Sequence, residues 1–201
     1  MKIELHLHTN RYSQCSVVTP EEVMRRLVEE GYGAVCITEH HAMWSDGELE
    51  ALRNEFPCLR IFPGVELNTG NGDLLVLGTN DAEYLALREE PAKIILKARS
   101  QGLVTILAHP FRWEISDNIL KGPVLPDAIE HRTCNHDAKA AGKAAAAAQR
   151  LNLPLVNAGD VHSLEMAGKF WIETDRQNTQ RCELREIIVR GEYRNCEHGE
   201  M

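Results

Sequence analysis

The sequence predicts an α/β fold in which helices surround a largely parallel sheet. Three observations lead there. Short apolar runs alternate along the chain with segments of helical periodicity, the order of β-α-β units. Several of those runs are continuous, as in strands covered on both faces. The 201 residues suffice for one sizeable core, so a single domain over 1–201 is expected. That length lies below the ~250 residues of a typical eightfold barrel, so a reduced or distorted barrel fits better. A doubly wound open sheet is the alternative, and periodicity does not separate the two.

The first strand is expected at Ile3–His8, where alternation sets Ile3, Leu5 and Leu7 on one face and Glu4, His6 and His8 on the other. A helix follows at Thr19-Pro20-Glu21-Glu22, which offers a capping Thr, Pro at the first helical position and Glu at the third. Val23, Met24, Leu27 and Val28 form its apolar face, and Gly31 is its stop. Further strands are expected at Ala34–Thr38, Arg60–Glu66, Leu74–Leu77 and Val104–Ala108, with helices at Asp46–Glu55 and Pro91–Gln101. Ala128–His131, Leu155–Ala158 and Phe170–Glu173 complete the strands. An Ala-rich helix runs from about Asn135 to Arg150, its run Ala144–Ala148 reading as helix propensity and close packing. A last helix covers Gln180–Arg190. No GxGxxG or P-loop follows the first strand, which removes the usual nucleotide-binding signatures.

Composition narrows the class. The chain is 43% apolar with a formal net charge of −8. No run approaches the ~20 apolar residues of a membrane span. No secretory signal pattern opens the sequence, and a cytoplasmic protein is the expectation. The acidic balance argues against a surface that gathers long nucleic acids. It leaves room for a small anionic substrate, because bound metal ions reverse the local field. Cys15, Cys36, Cys58, Cys134, Cys182 and Cys196 contain no CxxC pair, so reduced thiols are expected.

The chemistry lies at strand ends. Imidazoles two residues apart, at His6 and His8, can grip one cation. His40 follows the second strand, Glu66 ends the third, and His109 follows Ala108. Asp160 and His162 follow Leu155-Val156-Asn157-Ala158-Gly159. Each sits at or just past the C-terminal end of an expected strand, the edge where parallel α/β folds assemble their sites. Five histidines with Glu66 and Asp160 exceed the ligands of one tetrahedral ion. Two or three divalent ions are therefore expected, with a carboxylate bridging a pair. Mixed imidazole and carboxylate ligands suit Zn, Mn or Fe.

The set HLHT, TEH, GVE, AHP and GDVHS, in this order, resembles the polymerase and histidinol phosphatase (PHP) family from Ile3 to about Ser163. GKFWIETD near Lys169 is similar to the family's next strand. The resemblance implies a distorted seven-stranded β/α barrel, a multinuclear metal site and hydrolysis of phosphate esters. It implies that His6, His8 and Asp160 hold a first metal. Glu66 would bridge it to a second held by His109, and His40 and His162 would hold a third. Cys15 stands where many family members place Asp or His; a thiolate ligand favours Zn or Fe, and a small cysteine that binds nothing is the other reading. Relatives can carry another ligand between the Glu66 and His109 positions, where Asp73 is the clearest acidic candidate. The segment Ile129-Glu130-His131-Arg132-Thr133-Cys134-Asn135 departs from the Glu-x-x-Asn of relatives and carries the extra His131 and Cys134, with His136 next. One end reads as barrel wall and the other as a helix cap, for which Asn135 or Asp137 is suited.

The expected reaction follows from the ions. A pair ~3.5–4 Å apart clamps a phosphate and generates a hydroxide that attacks phosphorus. Arg112 is the first choice to hold the phosphate oxygens, against a surface arginine lying over Trp113. Arg11 and Lys169 are further options. His41 is a candidate proton donor to the leaving group, or faces solvent. Trp44 and Trp113 flank an organic substrate group or pack in the core. A phosphoesterase acting on a small phosphorylated substrate is the leading expectation. A nuclease acting on short nucleic-acid ends, a non-catalytic metal-binding module, and a C–N hydrolase are the alternatives. The last lacks a candidate for a metal-bridging carboxylated lysine.

Overall fold

A computed structural model describes residues 1–177 and 183–199. Its strands are β1 (Lys2–Leu7), β2 (Tyr32–Ile37), β3 (Arg60–Asn68), β4 (Asp73–Leu77), β5 (Val104–Ala108), β6 (Ala128–Glu130), β7 (Leu155–Val156), β8 (Phe170–Glu173) and β9 (Arg194–Glu197). The helices are α1 (Pro20–Glu29), α2 (Asp46–Glu55), α3 (Glu83–Ala86), α4 (Pro91–Ser100), α5 (Ala138–Leu151) and α6 (Leu184–Arg190). A 3₁₀ turn spans Asn118–Lys121. The expected start of the last helix at Gln180, and Cys182, lie outside the described residues.

Among the described residues nine strands form one sheet, in the order β7-β6-β5-β4-β3-β2-β1-β8-β9. Beyond β7 the chain returns to β1 and nearly closes the sheet into a barrel. Val161 bridges Leu7 in parallel; its carbonyl accepts from His8 N at 2.9 Å and its N–H donates to the His6 carbonyl at 3.1 Å. The ring thus runs through the seven strands β1 to β7, as expected. The antiparallel β8 and β9 branch from the start of β1 at Lys2 and Ile3.

The ring departs from a uniform β-α alternation between β5 and β6, where only the 3₁₀ turn intervenes, and between β3 and β4. No helix separates β3 from β4; a tight turn joins them, so β4 runs antiparallel to both β3 and β5. Gly72 makes that turn possible. Its φ is +134°, and a Cβ there would lie 2.6 Å from the Ser116 carbonyl oxygen. A chain reversal at this point starts β4 at the edge where the parallel strands end.

Local chemistry explains the helix starts. Thr19 Oγ1 accepts from Glu22 N, and Glu22 Oε2 accepts from Thr19 N, the reciprocal capping expected. Val23, Met24 and Leu27 are buried as expected, whereas Val28 is exposed at the edge of the apolar stripe. The Ala-rich helix starts at Ala138 rather than near Asn135, because Asp137 is the residue that caps it, accepting from Ala140 N at 2.7 Å. Ala140, Ala141, Ala144, Ala147 and Ala148 are all buried, so small side chains let this helix approach the sheet closely.

Three apolar clusters organise the core. The inner one draws on every ring strand, with Ile3, Leu5, Cys36, Leu75 and Ile106 among its members. Leu184 and Ile188 of α6 also enter it, and Arg185 pairs with Asp127, which accepts from Thr105 N at the start of β5. That helix therefore plugs the end of the ring from which β5 departs. The outer clusters pack α1 and α2 on β1–β3, and α4 and α5 on β3–β6. Leu7 joins an outer cluster while Ile3 and Leu5 face inward, so the single face expected for these three residues is broken. A register shift between Glu4 and Leu7 accounts for the break.

Truncating a fully buried inner residue, Leu75→Ala, is expected to cost about 2–5 kcal/mol. Removing the first helix cap, Thr19→Ala, is expected to cost only about 1 kcal/mol. Urea unfolding midpoints compare the two directly.

Candidate metal centre

The C-terminal edge of the ring gathers the residues singled out by sequence. β1 delivers His6 and His8, both fully buried. The stretch after β2 pairs with β3: Glu66 N donates to the Glu39 carbonyl and His41 N to the Glu66 carbonyl. This pairing sets His40 Nδ1 3.1 Å from Glu66 Oε2. His109 follows β5, and its Nε2 lies 3.0 Å from Glu66 Oε1. The seam between Val161 and β1 brings in Asp160 and His162. Asp160 Oδ1 lies 3.4 Å from His6 Nε2, 3.5 Å from His8 Nε2 and 3.4 Å from His162 Nδ1.

Glu66 sits at the middle. Its Oε2 is 3.1 Å from each of His6 Nε2 and His8 Nε2, while its other oxygen faces His109. The rings of His8 and His40 stack with centroids 4.2 Å apart, and His162 tilts over His8 at 4.4 Å. Four overlapping groups hold their ligand atoms within 4.8 Å of one another: His6-His8-Glu66, His6-His109-Asp160, His8-His40-His162 and Glu66-Asp73-His109. These His, Asp and Glu clusters are able to bind metal. Asp73 reaches its group because β4 starts at this edge, and its Oδ2 lies 3.8 Å from His109 Nδ1.

The atoms present fit a cation. His6 Nδ1 donates to Glu130 Oε1 at 2.8 Å, so a neutral His6 ring leaves Nε2 as a bare acceptor. That acceptor points at His8 Nε2, 2.9 Å away, and at Glu66 and Asp160. Lone pairs converging in a dry pocket repel unless protons or a metal ion sit between them. Burial opposes charge on His6, yet Asp160, Glu130 and Glu66 together hold its pKa well above the usual imidazole range. His109, likewise opposed by burial and raised by Glu66 and Asp160, reaches about 9. Against their own burial, Glu66 and Asp160 are held far below the carboxylate range by the surrounding imidazoles. Asp73 moves the other way, pushed up by burial and by Glu66. The buried Nδ1 of His109 has no hydrogen-bond partner, leaving a further donor atom for a ligand.

A shell of fixed groups orients this cluster. Glu130 Oε2 accepts from His109 N at 2.7 Å while its other oxygen holds His6. Ser13 Oγ donates to the buried Glu39, accepts from His40 N and lies 3.3 Å from His8 Nδ1. Asn135 Nδ2 donates to Asp160 Oδ2 at 2.8 Å. Glu4 Oε1 accepts from His6 N and Gly159 N, and burial raises the carboxyl to about 8. Glu39, Ser13 and Glu130 match no ligand motif of their own in the sequence. Glu39 adjoins His40 and Glu130 ends its strand at the site edge, which are the signals that place them.

A cavity of about 480 Å³ opens over the cluster, lined by His40, Glu66, Asp73, His109, Arg112, Asp160 and His162 among others. Arg112 reaches toward Asp160 Oδ2, 4.0 Å away, with its guanidinium also 5.0 Å from the Trp113 ring. Cys15 lines the cavity mouth as an exposed thiol, outside the four ligand groups. His41 is exposed and is not part of the cavity wall. The two tryptophans part company: Trp44 is 5% exposed and donates to Glu39, whereas Trp113 is 60% exposed and lines the cavity. Arg11 pairs with Glu48 away from this cavity.

Comparison with known proteins follows the same lines. The chain is similar in fold to a two-domain protein from Bacteroides vulgatus ATCC 8482 containing a predicted PHP-like metal-dependent phosphoesterase (TM-score 0.71, 13% identity). That match covers 98% of this chain and 65% of the other, so this chain spans just under two thirds of that protein. PsfC from Pseudomonas syringae PB-5123 matches with a TM-score of 0.68 and 20% identity over 99% of this chain and 92% of its own. An amidohydrolase from Chromobacterium violaceum, solved with bound sulfate and no metal, matches over 100% of both chains (TM-score 0.62, 15% identity). At these identities the likeness shows the fold. No curated protein matches in sequence. The model of the PHP domain matches residues 4–109. That match takes in more than half of the sequence and four of the predicted ligand motifs, and the chain belongs to the PHP domain family.

Proposed function

We propose that this chain is a metal-dependent phosphoesterase that hydrolyses a small-molecule phosphate ester at a site holding two or three Zn, Mn or Fe ions. The observation that carries this reading is the convergence of imidazole and carboxylate atoms on a cavity that also admits a guanidinium. In this reading His6, His8 and Asp160 would hold a first ion, and Glu66, His109 and Asp73 would hold a second. His40 and His162 would hold a third, for which Cys15 on the same cavity lining is the further candidate. When bound, such ions supply Lewis acidity to phosphoryl oxygens and lower the pKa of water.

The chain's own groups do the rest. Arg112 pairs with non-bridging phosphate oxygens, a planar fork suited to that geometry. Glu130 fixes the His6 tautomer and aims its Nε2 inward. Asn135 keeps Asp160 turned toward His6 and His8. With His41 outside the cavity wall, solvent at the open mouth protonates the leaving group. A cavity of about 480 Å³ matches a small phosphorylated molecule. The net charge of −8 disfavours long nucleic acid. Among the described residues no lysine lines the cavity to form the carbamate of a C–N hydrolase. Among the described residues no helix is long and apolar enough to cross a membrane.

Elemental analysis after Mn, Zn or Fe loading is expected to show two or three equivalents per chain, lowered by His6→Ala or His109→Ala. One equivalent or none under every loading would overturn the multinuclear reading. Glu130→Gln keeps the shape but removes the charge behind His6, and is expected to weaken metal binding about 10–100-fold. Titration with a competing chelator measures that loss.

Turnover on a panel of phosphate monoesters is expected to vanish with chelator and return with metal. Arg112→Ala removes a charge-assisted contact worth about 1.5–3 kcal/mol, so kcat/KM is expected to fall roughly 10–100-fold. A fully metallated chain with no turnover on any phosphate ester, short oligonucleotides included, would favour the non-catalytic module instead.

A further inference from the structure

His136 belongs to none of the ligand groups, yet both of its ring nitrogens are engaged. Nδ1 lies 2.7 Å from the His131 carbonyl oxygen and Nε2 lies 2.6 Å from the Pro110 carbonyl oxygen. A carbonyl oxygen can only accept, so an imidazole N–H is the group that meets each of them. His136 thus spans the gap between the loop after β6 and the turn after β5.

The turn it holds is strained. His109 has a φ of 27° and Phe111 a φ of 66°, left-handed backbone for two bulky residues on either side of Pro110. Such conformations cost free energy and persist only where surrounding contacts over-determine them. On the His109 side the backbone N–H is fixed by Glu130. The Pro110 carbonyl, set between the two strained residues, is fixed by His136. The far end of the same loop rests on the β3–β4 turn, where Ile119 N donates to the Asn71 carbonyl and Gly72 admits Ser116. Between those anchors stand Arg112 and Trp113, both on the cavity wall.

We propose that His136 is a positioning residue for phosphate recognition: its two-carbonyl bridge holds the strained 109–111 turn so that Arg112 faces the cavity. The proposal rests on the assignment of Arg112 to phosphate made above. Asn135 beside it holds Asp160 directly, so one short loop after β6 sets both the arginine and a candidate ligand. His136 acts on the first of these through the backbone alone.

The test is a double-mutant cycle on the Mn-loaded full chain, with inorganic phosphate as the probe. His136→Gln retains a side chain of similar reach, but its donors sit on one nitrogen and cannot span both carbonyls. Calorimetry is expected to show phosphate affinity reduced about 10-fold in His136→Gln, the order of loss that misplacing a positioned group produces. In the Arg112→Ala background the same change is expected to do nothing beyond about twofold, because there is no longer a guanidinium to place. Metal content is expected to match the wild type. Hydrogen exchange over 109–117 is expected to quicken while the remaining segments keep their rates.

Unchanged phosphate affinity in His136→Gln overturns the proposal, as does a loss that simply adds to that of Arg112→Ala. A variant that loses metal assigns His136 to the ligand cluster and overturns it too. His136→Asn, shorter by one methylene, repeats the comparison if the glutamine variant does not fold. A wild-type chain that binds no phosphate at any metal loading overturns the phosphoesterase reading along with this one. A wild type that binds phosphate equally well with Gln at 136 overturns this one alone.

Discussion

The seam between β1 and the chain beyond β7 is the constraint on which the site depends. Val161 exchanges backbone hydrogen bonds with the stretch His6–His8, and those two bonds nearly close the ring. The residues on either side of that seam are His6, His8, Asp160 and His162. Ring closure and assembly of the ligand cluster are therefore the same event. Glu4 reinforces it from beneath, one carboxylate oxygen accepting from His6 N and from Gly159 N. Gly159 has to be glycine for this contact, since a Cβ there would lie 2.6 Å from Glu4 Oε2.

Electrostatics explains why the cluster is built from these types. Glu66, Asp160 and Glu130 are almost wholly buried, and unpaired buried carboxylates are costly. Positive charge must sit among them. Protons on His6, His8 and His109 supply it when no cation is present, and metal ions supply it otherwise; exchanging one for the other releases protons. A core of apolar residues would be simpler to stabilise. The arrangement makes sense as one that holds a place for cations and leaves an open side above them.

Much of this was legible in the sequence because it depends on strand ends. An apolar run followed by His, Glu or Asp locates a ligand without knowledge of neighbouring strands, and His6, His8, His40, Glu66, His109, Asp160 and His162 all meet as that rule requires. What stayed hidden depends on pairing. The reversal of β4 follows from a turn between two apolar runs, and only that reversal brings the first residue of β4, Asp73, beside His109. The register shift in β1 separates Leu7 from Leu5 although strict alternation joins them. α3 and β9 escaped because one is a single turn and the other, Arg-Asn-Cys-Glu, has no apolar pattern. Cys15 is placed by its motif position alone: its exposed thiol lines the cavity mouth, outside the four ligand groups.

Strain marks the site as clearly as charge does. Among the described residues, five other than glycine have positive φ: His41, His109, Phe111, Asn152 and Asp160. Asn152 caps the end of α5, an ordinary use of the left-handed region. The remaining four lie in the loops that carry or adjoin the candidate ligands. Left-handed backbone at bulky residues turns a side chain where a relaxed loop would not, and it needs external bonds to persist. Those bonds are present: His41 N on the Glu66 carbonyl, Glu130 on His109 N, Asn135 on Asp160, and His136 on the Pro110 carbonyl. Glu130, Asn135 and His136 all come from the end of β6 and the loop that follows. That segment, one of two that depart from the family pattern in sequence, is where side chains hold other loops in place.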